Sequence, residues 1–336
     1  MTSIPPSADG GQGSIVSVAT GSFTVNGFTT ISVNAPDEID RIRAAFPAAA
    51  IRAATSGVPL FAGRYGPTLC SIFDAAAGYE TIGICNSDVV MLTSDVRKRI
   101  TDDPDIFFAA HRLDVDRLGG NVLGLYRRGI DAVFFDRRRY AALFEDKNLG
   151  RFQLGAPLWD IVLPILASFH GSVAFIEPPF ILHAVHKTRW LPADYRIARR
   201  WAAETVAAHA RRYATTRPRA SAFVELLERH VGRRDDHLDR RGLRNTMKVF
   251  GLWMAKLEHE GRTRLRVEIA GELGDAAVRH LDRPIPDTPS NPELTLVGAA
   301  GSPLNMRRIR YKFAAGLRAW KRHRRERAVV SQLADV

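Results

Sequence analysis

The side chains best placed to bind a ligand follow a short apolar run. Thr81–Cys85 (TIGIC) has no polar face, as is typical of a central strand buried on both sides. Asn86, Ser87 and Asp88 come directly after it. Because open α/β sheets bind ligands at the carboxyl ends of their strands, this position predicts a ligand site. The alternative is a turn in which Asp88 hydrogen-bonds its own backbone.

A single carboxylate interrupts an otherwise apolar segment that is predicted to be a helix, Ala156–Phe169. Asp160 follows Trp159 there, and a buried carboxylate is costly unless it is paired, caps the helix or serves a function. The alternative is an acid in the first helical turn, where it favours the helix dipole. Trp159 is either a stacking surface for a ligand ring or a core residue.

Two histidines, His183 and His186, lie in a segment predicted to be extended. Residues three apart in a strand point to opposite faces, so at most one of them faces a site. Imidazole is a common metal ligand, but it is also a routine core residue.

Two arginines are second candidates for contact with a phosphate. Arg64 lies in a predicted Gly/Pro-bounded loop, where a guanidinium can contact a phosphate. Arg112 lies in a predicted strand. Surface or packing roles are the alternative for both.

The elements that must position these residues alternate between strand and helix in the first half of the chain. The sequence predicts strands at 14–20, 29–34, 50–55 and 81–85, and helices at 38–46 and 68–77. This order is typical of a mostly parallel sheet with helices on both faces.

The second half changes character. The sequence there predicts strands at 106–115, 130–135, 172–176 and 180–186, followed by helices at 193–213, 220–231, 243–260 and 265–281. The predicted organisation is a disordered N-terminus (1–13), an α/β domain (14–190), a helical region (191–282), a Pro-rich linker (283–305) and a basic amphipathic helix (306–328).

Charge is concentrated near the C-terminus. The 336 residues carry a net charge of +12, and residues 306–327 hold ten Lys and Arg against one Glu. Apolar residues recur on this segment at spacings of three and four, forming one stripe: Met306, Ile309, Phe313, Leu317 and Trp320. Such a helix packs its stripe on the body, lies on an anionic membrane or binds nucleic acid. Nucleic acid is the least favoured, because charge alone carries no sequence readout.

Several function classes are excluded. The chain contains no stretch of 18 apolar residues and no secretory signal. Two cysteines, Cys70 and Cys85, provide neither a disulfide framework nor a cysteine zinc cage, so we expect a cytoplasmic protein. The phosphate loop, the H-E-x-x-H motif and the G-x-S-x-G elbow are missing from the sequence.

Five segments together resemble the GT-A-type glycosyltransferases, which are nucleotide-diphospho-sugar transferases with a Rossmann-like sheet. GICNSDVVML resembles the "NSDI" version of their metal-binding segment. The other four, in order along residues 14–190, are Gly27–Pro47, Gly129–Phe135 ("G-x-D-x-F-x-F"), Gly155–Asp160 ("G-x-P-x-W-D") and Phe175–His186, which is similar to a late strand ending in a metal-side histidine.

The resemblance implies roles for individual residues. Asp88 and His186 would be ligands of a divalent metal, Mn²⁺ or Mg²⁺, on the donor diphosphate. Asn86, Ser87 and Asp131 would lie on the donor side. Asn86 stands where the family more commonly has an aspartate, which removes one negative charge.

The same resemblance implies an activity. It is the transfer of a sugar from a nucleotide-diphosphate sugar to an acceptor hydroxyl on a glycan or lipid-linked molecule. Asp160 would be the general base of an inverting reaction. A peripheral position at the inner face of the membrane would suit such an enzyme. The alternatives are a catalytically degenerate GT-A-like binding protein and a membrane- or nucleic-acid-binding protein that acts through residues 306–327.

Overall fold

The structure is a computed structural model that describes residues 1–4, 11–47, 49–55, 57–60, 64–92, 95–117, 122–126, 129–146, 148–177, 181–185, 190–232 and 239–264. His186, the helix predicted at 265–281, the linker and the basic helix lie outside these ranges. The predictions made for them are therefore untested.

The described helices and strands alternate along most of the chain. The helices are α1 (Gly11–Val25), α2 (Ile39–Ala45), α3 (Leu69–Ala75), α4 (Asp95–Asp102), α5 (Ala141–Phe144), α6 (Trp159–Ser168), α7 (Pro192–Tyr213), α8 (Pro218–Val231) and α9 (Arg240–Glu260). The strands are β1 (Ile31–Asn34), β2 (Ala50–Ala53), β3 (Gly57–Leu60), β4 (Arg64–Pro67), β5 (Thr81–Cys85), β6 (Val89–Met91), β7 (Ile106–Ala110), β8 (Arg112–Val115), β9 (Val122–Tyr126), β10 (Ala132–Asp136), β11 (Ser172–Glu177), β12 (Ile181–Ala184) and β13 (Arg262–Arg264).

A five-stranded sheet with the order β13-β11-β7-β10-β5 forms the centre. Strands β13, β11 and β7 run parallel, whereas β10 is antiparallel to both of its neighbours. Alternate side chains enter separate apolar clusters on the two faces: Phe107 and Phe135 belong to one, Phe108 and Phe134 to the other. The sheet is thus buried on both faces, as the apolar run TIGIC predicts.

The first residues of the chain join β1 to this sheet. The Thr2 backbone N–H donates to Ile31 O and the Val33 N–H donates to Thr2 O, while on the other side the Cys85 N–H donates to Met1 O. Because Thr2 pairs in parallel with Ser32, the strand order extends as β2-β1-(1–2)-β5. The predicted disorder of residues 1–13 is therefore wrong for residues 1–4.

The strand predicted at 14–20 is wrong, because these residues belong to α1. Val16, Ala19 and Phe23 are buried at helical spacing, and the Thr20 hydroxyl donates to Val16 O. The β-branched residues suggested a strand, but two parallel segments, residues 1–2 and β1, need a crossover between them. That tertiary requirement overrides the local β propensity.

The prediction of a mostly parallel sheet is also wrong, since the sheets are mixed. A second sheet has the order β6-β12-β8-β9, with β12 parallel to β8 and antiparallel to β6. Between β7 and β10 the strands follow one another without a described helix. Parallel neighbours need a long crossover, so these short connections favour antiparallel pairs.

The helices after residue 190 share the core of the sheet. Phe223 and Trp253, from α8 and α9, pack against Phe169 at the end of α6. Strand β13 follows α9 and pairs with β11, so the helical region also extends the central sheet. Among the residues that the structure describes, no helix is long and apolar enough to span a membrane.

Candidate functional site

The site begins where β5 ends. Asn86 donates from its side-chain Nδ2 to Asp131 Oδ1 over 2.7 Å, and from its backbone N–H to Asp131 O over 3.1 Å. Cys85 pairs with Ala132 in the antiparallel register, and this places residues 86 and 131 opposite each other. The amide of Asn86 is thus engaged with a neighbouring carboxylate.

Arg112 connects the two sheets at this edge. Its Nη1 donates to both carboxylate oxygens of Asp131, over 2.9 and 3.0 Å, and its Nε donates to Asp114 Oδ1 over 2.8 Å. The guanidinium also lies 4.2 Å from the centre of the Tyr126 ring. Burial lowers the pKa of Arg112, but the two carboxylates outweigh it and raise the pKa above its ordinary value. These contacts favour the packing role over the predicted phosphate contact.

His183 lies between two carboxylates. Its Nδ1 is 3.3 Å from Asp114 Oδ1 and its Nε2 is 3.5 Å from Asp88 Oδ2. Parallel pairing of β12 with β8 sets His183 beside Asp114. Burial lowers the pKa of His183, but its hydrogen bonds with Asp114 and Asp88 prevail and raise the pKa to about 9.

His183 is therefore the histidine that the structure brings to Asp88. Strand alternation lets at most one of His183 and His186 face the site, and the family resemblance selected His186, which left a core or edge role for His183. The signal that identifies His183 is Asp114, whose pairing with it depends on the register of β8 and β12. This pairing cannot be read from the sequence without the fold.

Asp160 lies in the first turn of α6 and interacts electrostatically with Asp131. Burial and the negative charge of Asp131 raise the pKa of Asp160 to about 7, against backbone hydrogen bonds from Asp160 itself and Ile130. Gly129 approaches so closely that a Cβ there would collide with Asp160 Oδ2. The arrangement is a carboxyl group that gains and loses a proton near neutral pH.

Backbone strain accompanies this carboxylate. Leu158, the N-cap of α6, has a left-handed conformation with φ of 74°. That conformation costs about 1–2 kcal/mol for a residue with a Cβ. Trp159 is 2% exposed and belongs to the core, which supports the core role over sugar stacking. Strain of this kind is found preferentially at functional sites.

Ser87 and Arg64 are the remaining residues that were predicted to lie on the donor side. Ser87 is in the turn between β5 and β6, partly buried, beside Asn86 and Asp88. Arg64 begins β4, which pairs with β3, so the predicted loop is a strand at this point. Its role at the donor remains a prediction.

The residues fit a metal ion only in part. Asp88 and the Nε2 of His183 converge, while the other nitrogen of His183 faces Asp114, as in metal sites where a carboxylate orients the histidine. In the described part of the chain, no group of three or more His, Cys, Asp or Glu residues could hold a metal. This donor set suits an ion that takes its remaining ligands from a bound diphosphate and water.

A cavity of about 420 Å³ opens elsewhere, at the amino ends of β1 and β5. Its lining includes Phe23, Phe28, Tyr79 and Arg97. The polar residues described above are not part of its lining: Asp88, Asp114, Asp131, Asp160, Arg112 and His183. The cavity therefore lies mainly towards the amino end of β5 and the polar side chains lie beyond its carboxyl end, where we place the candidate site.

A second buried cluster lies beneath α7. Asp146 Oδ2 is 2.8 Å from His209 Nδ1, and His209 Nε2 is 2.8 Å from His170 Nε2. Burial lowers the pKa of both histidines, to about 4 for His170. Tyr213 packs against both rings.

Comparison with known proteins finds a likeness among solved structures. No family model and no curated protein match the chain. Among solved structures, the chain is similar to a mannosyltransferase from Pyrobaculum calidifontis, determined in complex with GDP-Man and Mn²⁺. The two share 14% sequence identity and a TM-score of 0.37, over 80% of this chain and 75% of the other.

Proposed function

We propose that the protein transfers a glycosyl group from a nucleoside-diphosphate sugar to an acceptor hydroxyl. The observation that carries the proposal is the convergence of Asp88, His183 and the Asp131–Arg112 pair at the carboxyl edge of the sheet. The sequence resemblance to GT-A-type transferases supports the same assignment.

The topology supports the position of the donor. From residues 1–2 the chain moves to β1 and β2 on one side, then returns to β5 on the other. Such a reversal creates a crevice beyond the carboxyl ends of the central strands, where open α/β sheets bind nucleotides. Asn86, Ser87 and Asp88 follow β5 directly, at the carboxyl end of that strand.

Asp88 and His183 would hold a divalent metal, either Mn²⁺ or Mg²⁺, which would neutralise charge on the departing diphosphate. His183 would release its proton on binding the metal, because only the neutral imidazole is a ligand. Arg112 and Asn86 orient Asp131, because both donate to its carboxylate. The metal roles of Asp88 and His186 implied by resemblance remain proposals, and His183 enters the set because of its contact with Asp88.

Asp160 would act as the base. With a pKa of about 7, the group is partly ionised at neutral pH. As the acceptor oxygen bonds to the anomeric carbon, its proton would move to a carboxylate oxygen of Asp160, and the bond from the sugar to the diphosphate would break. This route inverts the anomeric centre.

A degenerate binding protein is the second candidate function. It is favoured by Asn86, whose amide is engaged by Asp131 and supplies no additional charge for a metal. Binding of the donor without turnover would identify this case.

Nucleotide titration tests the proposal. Calorimetry with UDP, GDP and CDP, each with and without Mn²⁺ or Mg²⁺, should show metal-dependent binding of one nucleotide. Metal alone should bind weakly, because the described chain offers two converging ligands. Asp88→Ala should abolish the metal dependence, while Asp40→Ala, at an exposed surface position, should match the wild type. Binding of none of the nucleotides would contradict the proposal.

The acceptor and the location of the enzyme remain predictions. We propose a glycan or lipid-linked acceptor and a cytoplasmic protein whose residues 306–327 contact an anionic membrane. Co-sedimentation with vesicles of anionic and of neutral lipid, for the full chain and for a chain ending at residue 305, tests the membrane contact. Equal binding of both chains would contradict it.

A further inference from the structure

A buried histidine, His111, links helix α9 to Gly129, which lies against Asp160 of the candidate site. His111, 4% exposed, lies between β7 and β8 and stacks on Phe175, with ring centres 5.4 Å apart. Its Nε2 contacts Glu258 Oε1 of α9, and its Nδ1 is 3.3 Å from Gly129 O. The imidazole therefore bridges a helix and a loop that are 129 positions apart in the chain.

Both ring nitrogens of His111 face oxygen atoms. A carbonyl oxygen only accepts, so the Nδ1 of His111 carries the hydrogen and donates to Gly129 O. The contact between Nε2 and Glu258 then requires one further proton, held on the ring or on the carboxyl group. Either placement gives a link that is hydrogen-bonded at both ends.

The loop that receives this bond supports Asp160. Gly129 is in close contact with Asp160 Oδ2, and the backbone N–H of Ile130 donates to the Asp160 carboxylate. Asp131 follows at once and binds Arg112. Movement of Gly129 would therefore change the surroundings of both carboxylates.

Helix α9 is itself held firmly against the sheet. Gly261, directly after it, approaches Val173 so closely that a Cβ would collide with the Val173 carbonyl. Trp253, in the middle of the helix, donates from its indole N–H to the Ser168 hydroxyl of α6. Glu258 therefore belongs to a helix whose position is fixed by its contacts with β11 and α6.

We propose that Glu258 and His111 are positioning residues through which helix α9 fixes the Gly129–Asp131 loop and thereby the carboxylate of Asp160. The role of Asp160 as a base rests on the proposed function, whereas its fixation by this link does not. Three further groups face Asp160 and contribute to its titration: Asp131, Arg112 and Tyr126.

The test is the titration of Asp160 without substrate. The carboxyl carbons of ¹³C-aspartate-labelled protein are followed by NMR, and Asp160→Asn assigns the signal. In Glu258→Ala the released loop admits water, so the pKa of Asp160 should fall by roughly one pH unit or more towards the ordinary value of about 3.9. Glu258→Gln, whose amide donates to the Nε2 of His111, should preserve the wild-type titration.

Two further variants keep the test decisive. Glu260→Ala removes a neighbouring acid of α9 that pairs with Arg219 and Lys256, and it should leave Asp160 unchanged. Glu258→Asp keeps the charge but shortens its reach. If Glu258→Ala does not fold, Glu258→Asp should still show a lower pKa for Asp160 and faster exchange of the Ile130 amide hydrogen.

An unchanged Asp160 titration in folded Glu258→Ala, or in Glu258→Asp when the alanine variant does not fold, would overturn the positioning role. Absence of sugar transfer by the wild type would contradict the proposed function but would leave this result intact. If transfer occurs, Glu258→Ala should lower kcat about 10-fold with little effect on donor KM, and Glu258→Gln should restore it.

Discussion

Two buried networks in the described part of the chain pair histidine with aspartate, and they shift the pKa of histidine in opposite directions. In the edge network, His183 lies between Asp114 and Asp88, and its pKa rises to about 9. In the inner network, the pKa of His170 falls to about 4, because burial acts together with His209 and nearby arginines. The number of carboxylates facing each imidazole decides the direction.

The networks also end differently. The edge network ends at Asp88, whose side chain is 27% exposed beyond the end of β5. The inner network is enclosed: His170 and His209 are both buried, and the ring of Tyr213 covers them. Of these two networks, only the edge network ends at a partly exposed side chain, and the proposed ligand site is therefore placed there.

Removing Asp88 from the edge network should have the largest effect on activity. We expect Asp88→Ala to lower donor turnover by about 10²- to 10³-fold, the typical effect of removing a group that stabilises transition-state charge. Asp146→Ala should preserve turnover and lower the melting temperature. Transfer assays and calorimetry on both variants check this, and normal turnover in Asp88→Ala would exclude Asp88 from the reaction.

Asp131→Asn, in the edge network, should lower the free energy of unfolding more than Asp146→Asn, in the inner network. Asp131→Asn leaves buried Arg112 with one of its two carboxylates, which costs about 3 kcal/mol. Asp146→Asn weakens one hydrogen bond to His209 and costs about 1–2 kcal/mol. Urea unfolding of both variants measures the difference, and equal losses would show that the charge on Arg112 is not the deciding factor.

The pH dependence of transfer should follow Asp160. A base must be ionised, so turnover should rise about tenfold per pH unit below pH 7 and level off above it.

The effect of Asp160 on stability has the opposite dependence on pH. The folded-state pKa lies above the unfolded one, so the folded protein holds the extra proton and loses stability as the pH rises from about 4 to 7. Asp160→Asn should remove both effects, as kcat/KM profiles and pH-dependent melting would show.

The smallest effect is expected in the inner network under acid. His170 has a lowered folded-state pKa, so the unfolded chain binds its proton first, and stability falls as the pH drops from about 6.5 to about 4. His170→Phe should make the melting temperature less sensitive to pH in that window. A small loss at pH 7 is also expected, because His209 loses a partner. Unchanged acid sensitivity would assign it to other groups.

Much of the architecture was predictable because burial imposes clear periodicity. The strand at 81–85 and the helices around 193–213 and 220–231 follow from apolar spacing, and the structure confirms them. Strand direction was not predictable, because alternation is the same in parallel and antiparallel strands. Connection lengths, which do separate them, become informative only once the helices are known.

The site was predictable to the extent that its residues follow strand ends or interrupt apolar helices. Asn86, Asp88 and Asp160 stand out in this way. Arg112 and His183 do not, because Asp131, the partner of Arg112, and Asp114, the partner of His183, lie on other segments that only the fold brings together. Contacts between distant segments are therefore the part that sequence patterns leave open.

The place of residues 1–2 between β1 and β5 has a consequence for folding kinetics. Met1 bonds to Gly83 and Cys85, more than 80 positions away, so closing this part of the sheet requires a large loop. Such contacts raise the contact order and slow folding. We expect the two halves of the sheet to form before this joint closes, and hydrogen exchange during refolding should show the Val33 amide among the last to be protected.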